Sequence, residues 1–251
     1  MNGDRFWPYP GATHPEAYEQ LNLCSDPDQR LETYMFGLAP LEGRVLLDIG
    51  AGSGYHALRY AARARHVYAL EPDVRMRAQL YARLLANAPE NVSVLAAPAG
   101  HISLADASVD IVHARFAYFF GTEDCLPGLR EAQRVLVPGG HFFVIEAHGS
   151  RGQFGQIARQ CYPEAFSETS QECDRAFFEA RGFQTQEIDS VFRAPNRKVL
   201  EMVMRMDYPA DRIPMIMEQI AGTELSYSFL VFHYRKPDVA ADRVKHWRFG
   251  G

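Results

Sequence analysis

The sequence predicts a doubly wound α/β fold built on one mostly parallel sheet of about seven strands, with helices on both faces. Three observations support this prediction. Apolar runs alternate with helical segments from residue 44 onward, a glycine-rich turn follows the first run, and 251 residues suffice for one sizeable core. Such alternation predicts parallel strands joined by right-handed crossovers. We therefore expect one main domain, residues 41–251, with an arm or helix over the site formed by residues 1–40.

The individual elements follow from the spacing of the apolar residues. Five strands are expected in the first part of the domain, at residues 45–49, 67–70, 92–95, 109–114 and 141–147. The intervening helices are expected at residues 55–64, 74–87 and 123–137. The sequence Pro138-Gly139-Gly140 then predicts a turn that ends the last of these helices and leads into the fifth strand.

The signals are weaker after the fifth strand. Gly149, Gly152 and Gly155 lie in a short polar stretch that predicts a flexible connection. Helices are then expected at residues 156–162, 170–181, 197–206 and 213–220, and strands at 183–192 and 227–234, the last of them antiparallel. The helical insertion, residues 193–223, contains five methionines that suit either a flexible lid over a substrate or ordinary core packing: Met202, Met204, Met206, Met215 and Met217.

Composition narrows the class of partner. The net charge is -5 and lysine is scarce, so a nucleic-acid partner is not expected. No apolar run approaches the roughly 18 residues of a membrane span, and the first ten residues lack the pattern of a secretion signal. We therefore expect a cytoplasmic protein with no membrane role.

The four cysteines show no zinc-binding spacing and are expected to be free thiols, with no metal site: Cys24, Cys125, Cys161 and Cys173.

The strongest motif is the sequence VLLDIGAGSG at residues 45–54, a buried strand that runs into a glycine turn opening a helix. Glycines allow the backbone to approach a ligand closely, and a helix start offers unpaired N–H groups. An anionic or zwitterionic ligand is therefore expected there. A dinucleotide-binding fingerprint would place a further glycine at Tyr55 and its acid after the second strand, whereas Asp48 precedes the turn.

This arrangement resembles motif I of the class I S-adenosylmethionine-dependent methyltransferases, a family with a Rossmann-like fold. The resemblance extends in order along residues 44–147, through VYALEPD at the second strand, DASVDIV at the fourth and LREAQRVLVPGG before the fifth. It implies S-adenosylmethionine as cofactor and transfer of a methyl group to an O, N or C atom of a small-molecule acceptor.

The resemblance also implies roles for individual residues. Gly50 and Gly52 would face the methionine portion of the cofactor, Asp48 would hold its ammonium group, and Glu71 would bind both ribose hydroxyls. The implied cofactor-binding residues are Asp48, Gly50, Ala51, Gly52, Gly54, Glu71, Pro72, Ala99, Gly100 and Arg115.

Several of these residues have a second interpretation. Glu71 could instead cap the following helix, Pro72 could serve as the first residue of that helix rather than pack on adenine, and Arg115 could face the cofactor carboxylate or the substrate. Pro98 replaces the acid that the family often uses near adenine, so His101 is a candidate for that contact.

Catalytic candidates are expected at the carboxyl ends of the fourth and fifth strands, where an open sheet places its ligands. They are His148, His113 and Tyr118, with His148 foremost because a histidine can accept a proton near neutral pH; it could equally be an ordinary loop residue. An aromatic cluster after the fourth strand could line an acceptor pocket or belong to the core: Phe116, Tyr118, Phe119 and Phe120. The aromatic stretch at residues 6–9 could close over the cofactor.

Two other classes of protein share some of these features. An NAD(P)-dependent oxidoreductase would have the glycine turn and the ribose acid, although Tyr55 and the scarcity of lysine count against it. A non-catalytic S-adenosylmethionine-binding protein would show the same motifs. Among acceptors, planar amide or exocyclic nitrogens are disfavoured because no Asn/Asp-Pro-Pro-Tyr/Phe sequence follows the fourth strand, and no carboxylate trio indicates a Mg²⁺-assisted reaction.

Overall fold

The computed structural model describes residues 10–238, and its centre is a seven-stranded sheet with the order β3-β2-β1-β4-β5-β7-β6. β7 runs antiparallel to both of its neighbours, whereas the pairs from β3 through β5 are parallel. The strands are β1 (Val45–Ile49), β2 (His66–Leu70), β3 (Val92–Leu95), β4 (Val109–Arg115), β5 (Leu136–Ala147), β6 (Gln184–Arg193) and β7 (Glu224–Arg235). The predicted fold class is confirmed.

Helices cover both faces of the sheet. They are α1 (Pro10–Thr13), α2 (Pro15–Cys24), α3 (Arg30–Leu38), α4 (Tyr55–Ala61), α5 (Val74–Asn87), α6 (Leu126–Val135), α7 (Gly152–Cys161), α8 (Glu168–Glu179), α9 (Arg197–Asp207) and α10 (Ile213–Gln219). One apolar core joins α3, α4 and α9 to one face of the sheet, and a second core joins α6 and α8 to the other. Because it is covered on both sides, β1 is buried along its whole length.

The fifth strand begins earlier than the sequence predicts. β5 starts at Leu136, so the Pro138-Gly139-Gly140 sequence lies within the strand rather than in a turn before it. Gly139 has a φ of 75°, and its N–H donates to the Lys236 carbonyl at 2.9 Å. The pairing of β5 with β4 shifts register between Val109 and Ile111. The three residues therefore form an irregularity in a longer strand, and the pairing with β4 resumes at His141.

The glycines after β5 do not form the predicted flexible connection. Gly152 and Gly155 belong to α7, which packs against β7. A Cβ on Gly152 would lie 2.7 Å from the Ser226 carbonyl oxygen, and one on Gly155 would lie 2.7 Å from the His148 carbonyl oxygen. The absence of side chains at these positions thus allows a close approach of α7 to the sheet, because any Cβ would collide with backbone.

The N-terminal helices are held against the carboxyl edge of the sheet. Arg83 of α5 forms an ion pair with Glu19 of α2. The Nε of Arg83 also donates to the Ser53 carbonyl of the glycine turn at 2.9 Å. α2 also packs against α9, so the N-terminal helices and the insertion are in contact. The aromatic stretch at residues 6–9 lies outside the described residues. In the described part of the chain, no helix is both long and apolar enough to cross a membrane.

Candidate cofactor site

The glycine turn between β1 and α4 has a backbone that side chains could not adopt without strain. Gly50, Gly52 and Gly54 have φ values of 74°, 58° and 78°. A Cβ on Gly50 would lie 2.3 Å from the Cβ of Ala117, and one on Gly54 would lie 2.1 Å from a methyl group of Leu80. Glycine is therefore required here both by conformation and by space, as expected for a turn that lies close to other groups.

Glu71 joins this turn to the end of β2. Its side chain is 2% exposed, and its two carboxylate oxygens accept hydrogen bonds from the N–H groups of Gly52 and Asp73, each at 2.8 Å. Burial raises the pKa of Glu71, while the two N–H donors oppose that shift. The two motifs that the sequence analysis identified are thus in direct contact. Glu71 is not the cap of α5, since Asp73 accepts from the N–H groups of Arg75 and Met76.

Asp48, in β1 just before the turn, belongs to a buried cluster of polar side chains. It is 3% exposed, and its Oδ1 is 2.8 Å from Nδ1 of His113 on the neighbouring strand. Nε2 of His113 is 3.4 Å from the Tyr60 hydroxyl, and the histidine is only 1% exposed. Both ring nitrogens are therefore engaged within the core. His113 was predicted as a catalytic base; its burial and its contacts with Asp48 and Tyr60 favour a positioning role.

Arg115, at the end of β4, is a cation that contacts an imidazole and two aromatic rings. Its Nη1 is 3.2 Å from Nε2 of His56, and its guanidinium carbon lies 5.3 Å and 5.0 Å from the ring centroids of Phe116 and Phe229. Burial and the Arg115 charge together hold the pKa of His56 well below its usual range. Among residues 10–238, Arg115 forms no ion pair with Asp or Glu. It can therefore pair with an anionic group of a ligand.

Tyr18, which the sequence analysis did not identify, reaches the same turn from α2. Its hydroxyl oxygen lies 2.8 Å from the position that a Cβ on Gly52 would occupy. Burial raises the pKa of Tyr18 to about 12, and the nearby Glu71 carboxylate adds to this shift. No local sequence pattern marks this contact, because it joins two elements that are far apart along the chain. The tyrosine covers the turn on the side of the N-terminal helices.

Three of the residues predicted near adenine, Ala99, Gly100 and His101, lie in the loop after β3, and Pro72 follows β2. Ala99 is buried, and a Cβ on Gly100 would lie 3.2 Å from Pro127, so this segment packs closely on the start of α6. Pro72 and His101 are exposed. Both exposed side chains are accessible to a ligand, whereas Ala99 and Gly100 contribute backbone and shape.

The other two catalytic candidates have partners within the protein. His148 is 6% exposed, with Nε2 3.3 Å from the Glu187 carboxylate and Nδ1 3.3 Å from the Ser150 N–H. Tyr118 donates its hydroxyl to the Asp124 carbonyl at 3.1 Å. Neither group is free to take a proton from a substrate without breaking these contacts, so the geometry favours structural roles for both.

The aromatic cluster after β4 is divided between core and crevice. Phe119 is fully buried with its ring 5.2 Å from that of Phe142, whereas Phe116 is 38% exposed and has a φ of 53°. A bulky residue in the left-handed region is rare and is strained, and such strain is concentrated at functional sites. Phe119 thus belongs to the core, whereas Phe116, Tyr118 and Phe120 remain candidates for lining an acceptor site, since Tyr118 also has a positive φ of 62° and neither it nor Phe120 is buried. In the insertion, Met204 is in the core and Met215 and Met217 pack against it.

Comparisons with known proteins agree with this geometry. Residues 47–144 match the family model described as a methyltransferase domain. The chain is 36% identical over 108 residues to the ubiquinone/menaquinone biosynthesis C-methyltransferase UbiE of Rubrivivax gelatinosus, covering 43% of this chain and 41% of that protein. It is 31% identical over 126 residues to a tRNA U34 carboxymethyltransferase of Saccharophagus degradans, covering 48% of this chain and 37% of that protein. The match thus spans about two fifths of these relatives.

Solved structures with the same fold include YcgJ of Bacillus subtilis, with a TM-score of 0.59 and 18% identity over 82% of this chain and 97% of that one. A SAM-dependent methyltransferase of Aquifex aeolicus matches with a TM-score of 0.53 and 18% identity, covering 86% and 98% of the two chains. At this identity the structures establish the fold. Together with the family model, they confirm the resemblance to class I S-adenosylmethionine-dependent methyltransferases.

Proposed function

We propose that the protein is an S-adenosylmethionine-dependent methyltransferase that acts on a small-molecule acceptor. The observation that carries this proposal is the 2.8 Å hydrogen bond between the Gly52 N–H and the buried Glu71 carboxylate. It brings a turn shaped for an amino-acid tail next to an acid suited to a ribose diol. A buried carboxylate costs free energy unless it has partners, and its placement at a crevice indicates a binding role.

The residues around this bond fit the cofactor. The turn at Gly50 and Gly52 would accommodate the methionine portion, with Arg115 available for its carboxylate and Tyr18 covering it. Glu71 would exchange or share its backbone hydrogen bonds with the ribose hydroxyls, and the Ala99-Gly100 segment would lie beside adenine. The bound cofactor supplies a methyl group already activated by the positive charge on sulfur.

The protein's own contribution is alignment and exclusion of water. Methyl transfer is an in-line displacement, so holding the nucleophile close to the methyl group supplies much of the rate enhancement. Tyr18 and the N-terminal helices close one side of the crevice, and Phe116 borders it at the end of β4. Because His113, His148 and Tyr118 all have protein partners, we propose that orientation of the acceptor, rather than one of these side chains, is the main catalytic factor.

A small-molecule acceptor is favoured over nucleic acid by the overall charge. With a net charge of -5, the protein repels a polyanion in general, and several exposed arginines, such as Arg44 and Arg205, are paired with acids. Although one relative acts on tRNA according to its name, the other is named as a C-methyltransferase of quinone biosynthesis. Filter binding of a tRNA mixture at physiological salt tests this choice, and binding tighter than about 1 μM would contradict it.

Isothermal titration calorimetry with S-adenosylmethionine, S-adenosylhomocysteine and NAD tests the proposed cofactor. We expect binding of the first two and none of NAD. Replacing Glu71 by alanine should weaken S-adenosylhomocysteine binding by about 10- to 100-fold, equivalent to about 1–3 kcal/mol, because the ribose loses its acceptor.

Glu90→Ala is the matched control, since Glu90 is an exposed acid away from the crevice and its loss should leave binding unchanged. Binding of NAD in place of the sulfonium cofactor would refute the proposal. Equal affinities of wild type and Glu71→Ala would refute the role of Glu71.

A further inference from the structure

A cavity of about 270 Å³ opens at the amino edge of the sheet, next to the end of α3. Three basic side chains line it: Arg44, which precedes β1, His141 in β5, and Arg235 at the end of β7. Asp110, the second residue of β4, lines it as well, whereas Arg115 ends the same strand on the cofactor side. Five residues of a strand span about 16 Å, so this cavity is separate from the cofactor site.

Both arginines keep hydrogen-bond donors for a ligand. Nη1 of Arg44 is 2.8 Å from the Asp110 carboxylate, and Nη2 of Arg235 is 3.0 Å from that of Asp238. A guanidinium group has five N–H donors, so each arginine has further donors that can bind an oxyanion. The Asp110 carboxylate is fixed from its other side, since its Oδ2 accepts from the Val45 N–H at 2.9 Å. The two ion pairs therefore orient the guanidinium groups without using all their donors.

His141 adds a third polar group to the cavity wall. Its Nδ1 is 2.9 Å from Nε2 of His233, and the two stacked rings have their centroids 5.1 Å apart. No residue among 10–238 forms a hydrogen bond with Nε2 of His141, and that atom is not enclosed by protein. Burial and the charges of Arg235 and Arg44 lower the pKa of His141. The imidazole is therefore close enough to both arginines to sense an anion that neutralises them.

The charge around the cavity differs in sign from that of the whole chain. Lys236, which follows Arg235, donates from Nζ to two backbone carbonyls and forms no ion pair with an acid among residues 10–238. Three cations, Arg44, Arg235 and Lys236, thus accompany two acids, Asp110 and Asp238, in a protein whose net charge is -5. This region favours an anionic ligand.

The rest of the cavity wall is apolar. It includes Leu38, Pro40, Ile111, Val137 and Pro138. Leu38 is 43% exposed, and a ligand in contact with it would remove apolar surface from water. The volume lies just below the range of about 300–1,000 Å³ that is typical of pockets for drug-sized ligands, which indicates a smaller molecule.

We propose that this cavity binds a small carboxylate with an apolar body, whose carboxylate group is held by Arg44, Arg235 and His141. The apolar body would lie against the wall that includes Leu38 and Ile111. This inference goes beyond the proposed function and does not rest on it, because the cavity and the cofactor site lie at opposite edges of the sheet.

Three probes of similar size test the proposal: phenylacetate, 2-phenylethanol and 2-phenylethylamine. Their binding to the full chain is measured by NMR titration at pH 7.0, with and without S-adenosylhomocysteine. The wild type should bind phenylacetate at least tenfold more tightly than the alcohol, and the amine more weakly than either. Its affinity for phenylacetate should not change when S-adenosylhomocysteine is present. Bound phenylacetate should also raise the pKa of His141, while that of His66 on β2 stays the same.

Arg235→Gln should weaken phenylacetate binding at least fivefold and leave binding of the alcohol unchanged. Arg205→Gln is the matched control, because Arg205 is also an exposed arginine paired with an acid but lies on α9, away from the cavity. No binding of phenylacetate, equal affinities for phenylacetate and the alcohol, equal effects of the two substitutions, or an unchanged pKa of His141 would each overturn the inference. Displacement of phenylacetate by S-adenosylhomocysteine would do so too, since it would place the probe in the cofactor crevice.

Discussion

Glu71 and Asp207 are two carboxylates whose pKa is raised by burial, and the protein treats them differently. Glu71 is 2% exposed and accepts hydrogen bonds from the N–H groups of Gly52 and Asp73. Asp207, the last residue of α9, is half-buried, and no residue among 10–238 donates to its carboxylate or pairs with it. The backbone thus satisfies the first carboxylate before any ligand binds, whereas the second has no partner in the described part of the chain.

The difference affects the stability of the free protein. A preorganised acceptor such as Glu71 binds its ligand at little conformational cost. Partial burial of Asp207 without a described partner disfavours its charged form, so ionisation of this group lowers the stability of the folded protein.

The largest effect is expected from a substitution in the glycine turn, which lies against Glu71. Gly50→Ala forces a left-handed φ on alanine and places its Cβ against Ala117, so we expect the free energy of unfolding to fall by about 3–5 kcal/mol. Gly43→Ala is the control, because Gly43 has a similar φ of 71° but open space around it, and should cost only about 1–2 kcal/mol. Urea denaturation measures both values, and equal losses would show that the turn is not closely packed.

Removing the charge of Asp207 should stabilise the free protein. The pKa of Asp207 is raised from 3.8 to about 7 in the folded state, which therefore holds the proton more tightly than the unfolded state does. The stability that the protonated group contributes is lost as the pH rises between these values. At pH 8, Asp207→Asn should therefore gain about 1–3 kcal/mol, a rise of about 2–9 °C in Tm. Near pH 4 the advantage should disappear. A lower Tm for the variant at pH 8 would mean that the carboxylate has a stabilising partner.

The smallest effect is expected at Tyr18, which lies against Gly52. Removing its hydroxyl in Tyr18→Phe keeps the ring over Gly52 and should weaken S-adenosylhomocysteine binding by about 2- to 10-fold, the effect of one neutral hydrogen bond. Tyr81→Phe, at an exposed position on α5, should have no effect. Calorimetry that finds the two variants indistinguishable would remove Tyr18 from the cofactor site.

The sequence predicted the contact between the glycine turn and Glu71 better than it predicted the contacts between distant elements. The strand at residues 45–49, the glycine turn and Glu71 are local features, each defined by a short apolar run and the residue that follows it. Their meeting follows from the parallel order of β1 and β2, which alternating strands and helices already imply. Such features can be predicted because neighbours in the fold are close in the sequence.

The remaining features depend on contacts between distant elements. Gly155 indicated flexibility in the sequence, but it allows α7 to approach the β5 end, which only the packed fold shows. Tyr18 meets Gly52 because the N-terminal helices dock against the sheet, which brings together residues far apart in the sequence. His148 and His113 were plausible bases from their strand positions, but the local sequence does not show their partners Glu187 and Asp48.

The central claim is that Glu71 binds the ribose of S-adenosylmethionine, and a double-mutant cycle tests it most directly. The affinities of wild type and Glu71→Gln are measured by calorimetry for S-adenosylhomocysteine and for its 2′-deoxy analogue. If the carboxylate binds the diol, loss of the 2′-hydroxyl should weaken binding about tenfold in the wild type and hardly at all in Glu71→Gln. Equal losses in both proteins would show that the hydroxyl and the carboxylate do not interact, and would contradict the account.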